Sequence, residues 1–370
     1  MSLMMSEPFT PLEAEIRRRI AAAGAMPVMQ YMSLCLTHPS LGYYITNDPF
    51  GAAGDFTTSP EISQMFGELI GLWAGSVWRQ MGSPQPLNLV ELGPGRGSMM
   101  QDALRATNVM PEFRTAIAVH LVEVSPLLEK RQREFLGGLG IPFHWHKALE
   151  DVPEGPTIIL ANEFFDALPV HQAVMCADGW HERVVKLDEN DKLRFGIARD
   201  PIPLFEQLLP RGMRAQIGEI FEWRGDQIAL ELGRRVTHGQ GAALVIDYGH
   251  TKTAPGDTLQ AVAKHQYADP LVAPGLVDLT AHVDFQALAD AAESMGARAY
   301  GPLDQAEFLH RLGIESRAIA LKNAAPPSKA MEIERALQRL TGTSGRNMGH
   351  LFKALGFAHP KLGPLPGFDP

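Results

Sequence analysis

Residues Asn88–Met100, NLVELGPGRGSMM, limit the fold more than any other stretch of the chain. Leu87, Leu89 and Val90 read as the end of a short buried strand, closed by Glu91 and Leu92. Gly93, Gly95 and Gly97 then make a turn, and Ser98 to Arg105 read as a helix opening directly from it. A strand, a glycine turn and a helix start make a cradle for a nucleotide-like ligand. Glycine lets the backbone come close, and the helix N-terminus presents N–H groups. A chain built on such a unit is expected to be α/β, with a doubly wound, Rossmann-like sheet.

The spacing narrows the ligand. A dinucleotide fingerprint is G-x-G-x-x-G, whereas here it is Gly93-x-Gly95-x-Gly97, preceded by the acid Glu91. This form is similar to the first motif of class I S-adenosylmethionine methyltransferases. That cofactor carries a sulfonium and an amino-acid tail, and an acid beside the turn suits positive charge. The competing reading is a plain glycine-rich turn. A second unit argues against it: Ala118–Val122 reads as a buried strand ending in Glu123, and Ser125-Pro126 starts another helix. An acid at that strand tip accepts hydrogen bonds from ribose hydroxyls. Glu123 lies 26 residues beyond Gly97, a little further than the dinucleotide rule expects. The glycine spacing also disfavours an NAD(P)-dependent oxidoreductase.

Further along, His144-Trp145-His146 reads as a third strand. Strand alternation explains the His-x-His spacing, so no metal site is expected. Leu149 and Glu150 follow where such folds edge the adenine. The fourth strand, Thr157–Ala161, runs into Asn162-Glu163-Phe164-Phe165-Asp166. Ligands sit at strand ends on this edge of a doubly wound sheet, so these polar and aromatic residues are candidates for the reacting pocket. The alternative is a helix cap at Asn162. Gly241–His250 reads as the next buried strand, ending in Asp247 and Tyr248.

Before the cradle, residues 9–36 read as helical, with Thr10 capping at Pro11 and with Leu12, Ile16 and Ile20 on one face. Gly51, Gly54 and Asp55 form a loop, and Ser59-Pro60-Glu61 starts a helix with Ile62, Phe66, Leu69, Ile70 and Trp73 inward. The Asp55–Glu61 loop is expected to close over a ligand. Residues 170–200 read as an antiparallel meander, and 201–235 as a Pro-bounded linker followed by helices. Residues 259–285 hold His265, Tyr267, Asp269, Asp278, Thr280, His282 and Asp284 in an expected loop, either as a substrate platform or as caps. Arg346–Leu355 reads as a last amphipathic helix.

At 370 residues the chain accommodates about two domains. The expected division is an N-terminal helical segment with a closing loop at 1–80 and a cofactor-binding core at 81–170 and 240–358. A substrate subdomain of β-meander and helices is inserted at 171–239, and 359–370 form a tail. A hydrophobic content of 45% and a charged content of 20% place the chain among soluble globular proteins. The net charge of -9 offers no basic excess for nucleic acid. Two cysteines, Cys35 and Cys176, make neither a disulfide framework nor a metal site, which fits a reducing compartment. No membrane span and no signal peptide are read.

Six stretches together resemble the MidA-like family: GDFTTSPEISQMFGELIGLW (54–73), VELGPGRGSMM (90–100), HLVEVSP (120–126), ANEFFDALPVHQ (161–172), VIDYGH (245–250) and 265–285. The mitochondrial members of that family are known as a respiratory complex I assembly factor. The resemblance implies a class I methyltransferase fold, S-adenosyl-L-methionine as cofactor, and symmetric dimethylation of an arginine on a complex I subunit. It further implies a cytoplasmic location for a bacterial chain and the mitochondrial matrix for eukaryotic relatives; a homo-oligomer is compatible with it. On this reading Glu91, Gly93, Gly95, Gly97, Glu123, Ser125, Leu149 and Glu150 hold the cofactor. Arginine is always protonated and delocalised, so its site needs carboxylates that localise charge away from the attacking nitrogen. Glu163 and Asp166 are expected to do this beside Asn162, with Phe164 or Phe165 and Tyr248 as walls. Two alternatives stay open: a methyltransferase acting on a small metabolite, and an assembly chaperone that keeps the fold without catalysis.

Overall fold

The strand–turn–helix unit at Leu87 lies at the middle of an eight-stranded sheet. The computed structural model describes residues 9–47, 57–207, 209–263, 266–345 and 347–369. These fall into two compact units, one of residues 50–166, 226–251 and 283–370 and one of residues 1–49, 167–225 and 252–282. The sheet belongs to the first. Its strands are β1 (Leu87–Leu92), β2 (Ile117–Val122), β3 (Phe143–His146), β4 (Thr157–Asn162), β5 (Ala242–His250), β6 (Val283–Asp284), β7 (Arg298–Asp304) and β8 (Phe352–Ala358). Their order is β7-β8-β5-β4-β1-β2-β3, with β6 pairing beside the end of β5. β3, β2, β1, β4 and β5 run parallel, whereas β8 is antiparallel to both β5 and β7. The arrangement is the expected doubly wound α/β sheet with one reversed strand inserted before the edge.

All six residues of β1 are buried, as a parallel strand covered on both faces requires. One covering helix is α1 (Gln64–Gln80), whose Phe66, Ile70, Trp73 and Val77 join Leu89, Ile158 and Leu244 in a single core. Helix α2 (Ser98–Ala106) follows the glycine turn, and α3 (Pro126–Leu136) follows β2. Helix α4 (Gln227–His238) leads into β5, and α5 (Phe285–Ser294) is capped by Asp284, whose Oδ1 accepts from the Ala287 N–H at 3.0 Å. From β1 the chain winds outward through β2 and β3, then returns to the other side of β1 as β4. That reversal places the topological switch point between β1 and β4, where doubly wound sheets bind ligands.

The second unit carries the meander. His171–Cys176, Gly179–Leu187 and Leu193–Pro201 pair in antiparallel fashion, and Met26–Pro27 and Ile220–Trp223 complete five strands. Trp180, Phe205 and Phe221 fill its core. Thr10 caps Pro11–Ala23 as expected, its Oγ1 accepting from the Glu13 N–H at 3.0 Å.

Five details differ from expectation. The helix read over 9–36 breaks at Gly24, and Val28–Thr37 forms a second helix. The helix expected from Ser59 is only a turn, Ser59–Ile62; Ser63 is extended and caps α1 instead. Residues 347–355 are not a helix: Phe352–Ala358 is a strand buried at every position, so the alternation that marks a strand is lost. Residues 259–285 are not one loop, since Gln260–Ala263, Gln266–Ala268 and Asp278–Thr280 form a small sheet. Helix α4, expected within the insertion at 171–239, clusters with the central sheet, and residues 1–49 cluster with the meander. Gly51, Gly54, Asp55, His265 and Arg346 lie outside the described residues.

Candidate active site

Parallel pairing sets Leu92 opposite Ala161, so β1 and β4 end side by side. An open cleft of about 390 Å³ lies at these ends. Glu91, Gly93, Gly95, Arg96 and Ser98 line it together with Thr58, Glu61, Asn162 and Glu163. The lining is stapled across: Ser98 Oγ donates to Glu61 Oε1 at 2.5 Å, and the Ser59 N–H donates to Glu163 Oε1 at 2.8 Å. The glycines are required by geometry. Gly93 and Gly97 have φ of 60° and 89°, and a Cβ on Gly93 would lie 2.9 Å from the Phe164 ring.

Buried Glu91 and half-buried Glu163 line the cleft, and buried Glu123 lies outside its lining. Glu91 is 3% exposed, and its Oε2 has no hydrogen-bond partner. Burial, reinforced by the neighbouring Glu123 charge, pushes its carboxyl up to about 8. Glu123 is 5% exposed and raised by burial to about 7, although the Ser125 N–H and Gln132 stabilise its charge. Glu163 is raised by burial to about 8, with Asp166 adding to the rise and the Ser59 N–H opposing it. Glu163 also has φ of 50°, a left-handed conformation that costs a side-chain-bearing residue about 1 kcal/mol. Among the described residues, no Lys or Arg forms a salt bridge with Glu91 or Glu163. Acids buried this way call for a cationic ligand.

Comparison with known proteins agrees with that demand. A family model described as "Putative S-adenosyl-L-methionine-dependent methyltransferase" matches residues 69–303. The chain belongs to this family. Curated relatives include zebrafish (Danio rerio) "Protein arginine methyltransferase NDUFAF7, mitochondrial", 42% identical over 84% of this chain and 78% of that one. The human protein of that name is 38% identical over 93% and 82%. A Burkholderia thailandensis protein described as a "likely methyl transferase", solved bound to S-adenosyl-homocysteine, superposes with a TM-score of 0.84. It is 30% identical and covers 96% of this chain and 94% of its own. The methyltransferase is thus an enzyme that uses S-adenosyl-L-methionine.

The methyltransferase's own residues fit that cofactor. The unpartnered Glu91 carboxylate oxygen is an acceptor awaiting a cation or a donor, and the glycine turn leaves the backbone open beside it. Glu123 already accepts from the Ser125 N–H at 2.7 Å and from Gln132 Nε2 at 3.0 Å, which leaves each oxygen a further lone pair for a hydroxyl. Ser125 caps α3, its Oγ accepting from the Leu128 N–H at 3.3 Å. Leu149 is buried in the short turn Leu149–Asp151, whereas the Glu150 side chain is exposed and its carbonyl accepts from Arg235. Asp166 is 6% exposed and is not part of the cleft wall. The Tyr248 ring packs on Phe352 with centroids 5.5 Å apart, and it too is not part of that wall. His120 and His146 share a hydrogen bond, Nδ1 to Nε2 at 2.9 Å, and among the described residues no acidic, His or Cys cluster is arranged for a metal.

Two organising residues escaped the sequence reading. Asp247 is fully buried, and its Oδ2 accepts from the backbone of the turn at 164–166. Gln132 is also fully buried: its Nε2 donates to the Gly95 carbonyl at 2.7 Å and to Glu123, while its Oε1 accepts from Trp145 Nε1 at 2.9 Å. It ties the glycine turn to the acid on β2. The signal was present, since Leu128, Gln132 and Leu136 share the inner face of α3 and a lone amide there needs partners. Replacing Gln132 with Leu, which fills a similar volume but bonds to nothing, is expected to weaken cofactor affinity about tenfold. That loss corresponds to roughly one charge-assisted hydrogen bond. Calorimetric titration checks it, and unchanged affinity rejects the strut.

Proposed function

We propose that this methyltransferase transfers methyl groups to the guanidinium of arginine in a protein. The observation that carries the reading is Glu163, an acid that forms no salt bridge with a Lys or Arg among the described residues, held on the wall of the cofactor cleft. The names of the curated relatives support the same acceptor class. The resemblance to the MidA-like family extends the proposal to symmetric dimethylation of a respiratory complex I subunit, carried out in the cytoplasm of a bacterium. Among the described residues no helix is long and apolar enough to cross a membrane.

The chemistry follows from arginine's weakness as a nucleophile. Bound S-adenosyl-L-methionine supplies an electrophilic methyl group and leaves as a neutral thioether. The Glu163 carboxylate pairs with the guanidinium, draws its positive charge away from the attacking nitrogen and fixes that nitrogen in the cleft. A nitrogen–carbon bond forms, the carbon–sulfur bond breaks with its electron pair remaining on sulfur, and the nitrogen gives up one proton. Glu163, raised to about 8, is matched to accept that proton near neutral pH. Asp166 acts through the charge of Glu163. Phe164, whose ring meets the glycine turn, helps to exclude water.

Incubating the protein with methyl-labelled S-adenosyl-L-methionine and arginine-bearing respiratory subunits tests the acceptor. Hydrolysis and chromatography are expected to place label in dimethylarginine. Label found only in small metabolites, with none in methylarginine, would reject the proposal.

A further inference from the structure

What holds Glu163 in its left-handed conformation is a second carboxylate, 84 positions later in the chain. Asp247 follows the last residue of β5 that pairs with β4, where Ile246 sits opposite Asn162 and its carbonyl accepts the Glu163 N–H at 2.9 Å. The Asp247 Oδ2 atom accepts three consecutive backbone N–H groups, those of Phe164 at 3.1 Å, Phe165 at 2.9 Å and Asp166 at 3.2 Å. Its Oδ1 accepts the Tyr248 N–H at 2.8 Å. Successive N–H groups that converge on one point form an anion-binding nest. Such a nest serves a ligand in phosphate-binding loops; here the protein's own buried carboxylate fills it.

We infer that Asp247 is the positioning residue of the reaction: it locks the 163–166 turn so that the Glu163 carboxyl stays on the cleft wall. This rests on the acceptor role proposed for Glu163. Three converging N–H groups fix the turn where a side-chain-bearing residue otherwise avoids positive φ, while the Tyr248 N–H holds the other carboxyl oxygen. The same turn sets the Phe164 ring against Gly93, so Asp247 also registers the acceptor wall against the cofactor wall. Asp247 is fully buried and is not part of the cleft wall, so it acts through the turn and touches neither reactant.

Two variants of the full chain test this. Asp247→Asn keeps the shape and one acceptor oxygen, whereas Asp247→Ala empties the nest. The expected result is a kcat about tenfold lower for Asn and about a hundredfold lower for Ala. S-adenosyl-L-methionine affinity and acceptor KM should stay within about threefold of the parent. In the resting protein, without acceptor, amide hydrogen exchange at 164–166 should accelerate at least about tenfold while β1 and β4 keep their protection. If Ala fails to fold, the Asn variant alone carries these readouts. Unchanged exchange at 164–166, or a loss of kcat matched by equal loss of cofactor affinity and sheet protection, overturns the inference. The exchange readout needs no methyl acceptor. Faster exchange alongside an inert parent enzyme would sink the arginine reading and leave the nest standing.

Discussion

Glu163→Gln is expected to lower kcat about a thousandfold while leaving S-adenosyl-L-methionine affinity within about threefold. The amide oxygen of Gln can still accept the Ser59 N–H, so the wall segment at 58–62 keeps its anchor. What is lost is the negative charge that pairs with the guanidinium and the group that takes the proton. Removing a positioned acid–base group costs about 10²–10⁴ in rate, and an unpaired guanidinium in the cleft adds to that. The substitution leaves Glu91 and the glycine turn, the residues expected to hold the cofactor, unchanged in the cleft lining. The pH profile gives a second readout. Glu163 must be ionised to act, so kcat/KM is expected to rise with pH along a limb at or below about 8, the pKa that burial imposes on it. The Gln variant should lack that limb. A variant with normal turnover, or with the limb intact, would remove Glu163 from the mechanism.

The parts of this site that the sequence showed are those made by neighbours in the chain. Glu91, the glycine turn and the start of α2 lie within a dozen residues, and the spacing alone separates them from a dinucleotide cradle. Glu123 and the Ser125-Pro126 cap are readable for the same reason, since strand end, acid and helix start follow one another. The meander at 171–201 declared itself through alternation and its Asp178-Gly179 and Asn190-Asp191 turns. The hidden parts depend on distant pairings. Nothing local to Asp247 says that it binds the amides of residues 164–166, because that contact exists only once β5 lies beside β4. Gln132 was readable in principle as a polar residue on an apolar face, yet its partners Gly95, Glu123 and Trp145 come from three other elements. The helix expected to end at Leu355 overlaps the strand Phe352–Ala358, because a strand buried on both faces loses the period of two that distinguishes it from a helix. Tyr248 followed a strand end at the right edge, but the pairing of β5 with β8 turns its ring onto Phe352.

The buried acids also make a thermodynamic prediction that needs no methyl acceptor. Glu91 and Glu123 ionise near 8 and 7 in the folded protein, against 4.5 for the ordinary group. Between these values the folded state holds protons that the unfolded state has released, so stability falls as pH rises. The effect is complete below about 4.5 and is lost through pH 7–8. His120 works in the opposite sense, because burial lowers it to about 4; its contribution grows with pH and is finished by about 6.5. From pH 6.5 to 8 the contribution of His120 is finished while the raised carboxyls still act. Glu163 ionises near 8 as well, so across this range the ligand-free protein is expected to lose about 4 kcal/mol, or about 5 °C in Tm, and Glu91→Gln should lose about 2 kcal/mol less. A sulfonium and an ammonium placed beside these acids favour their ionised forms. Binding S-adenosyl-L-methionine at pH 7 should then release up to about one proton, seen as a difference in calorimetric enthalpy between buffers of different ionisation heat. S-adenosylhomocysteine, which lacks the sulfonium charge, should release fewer. Equal enthalpies in all buffers, or proton uptake, would show that the acids of the glycine-turn wall do not answer the cofactor's charge, and the fit assigned to Glu91 would fall with them.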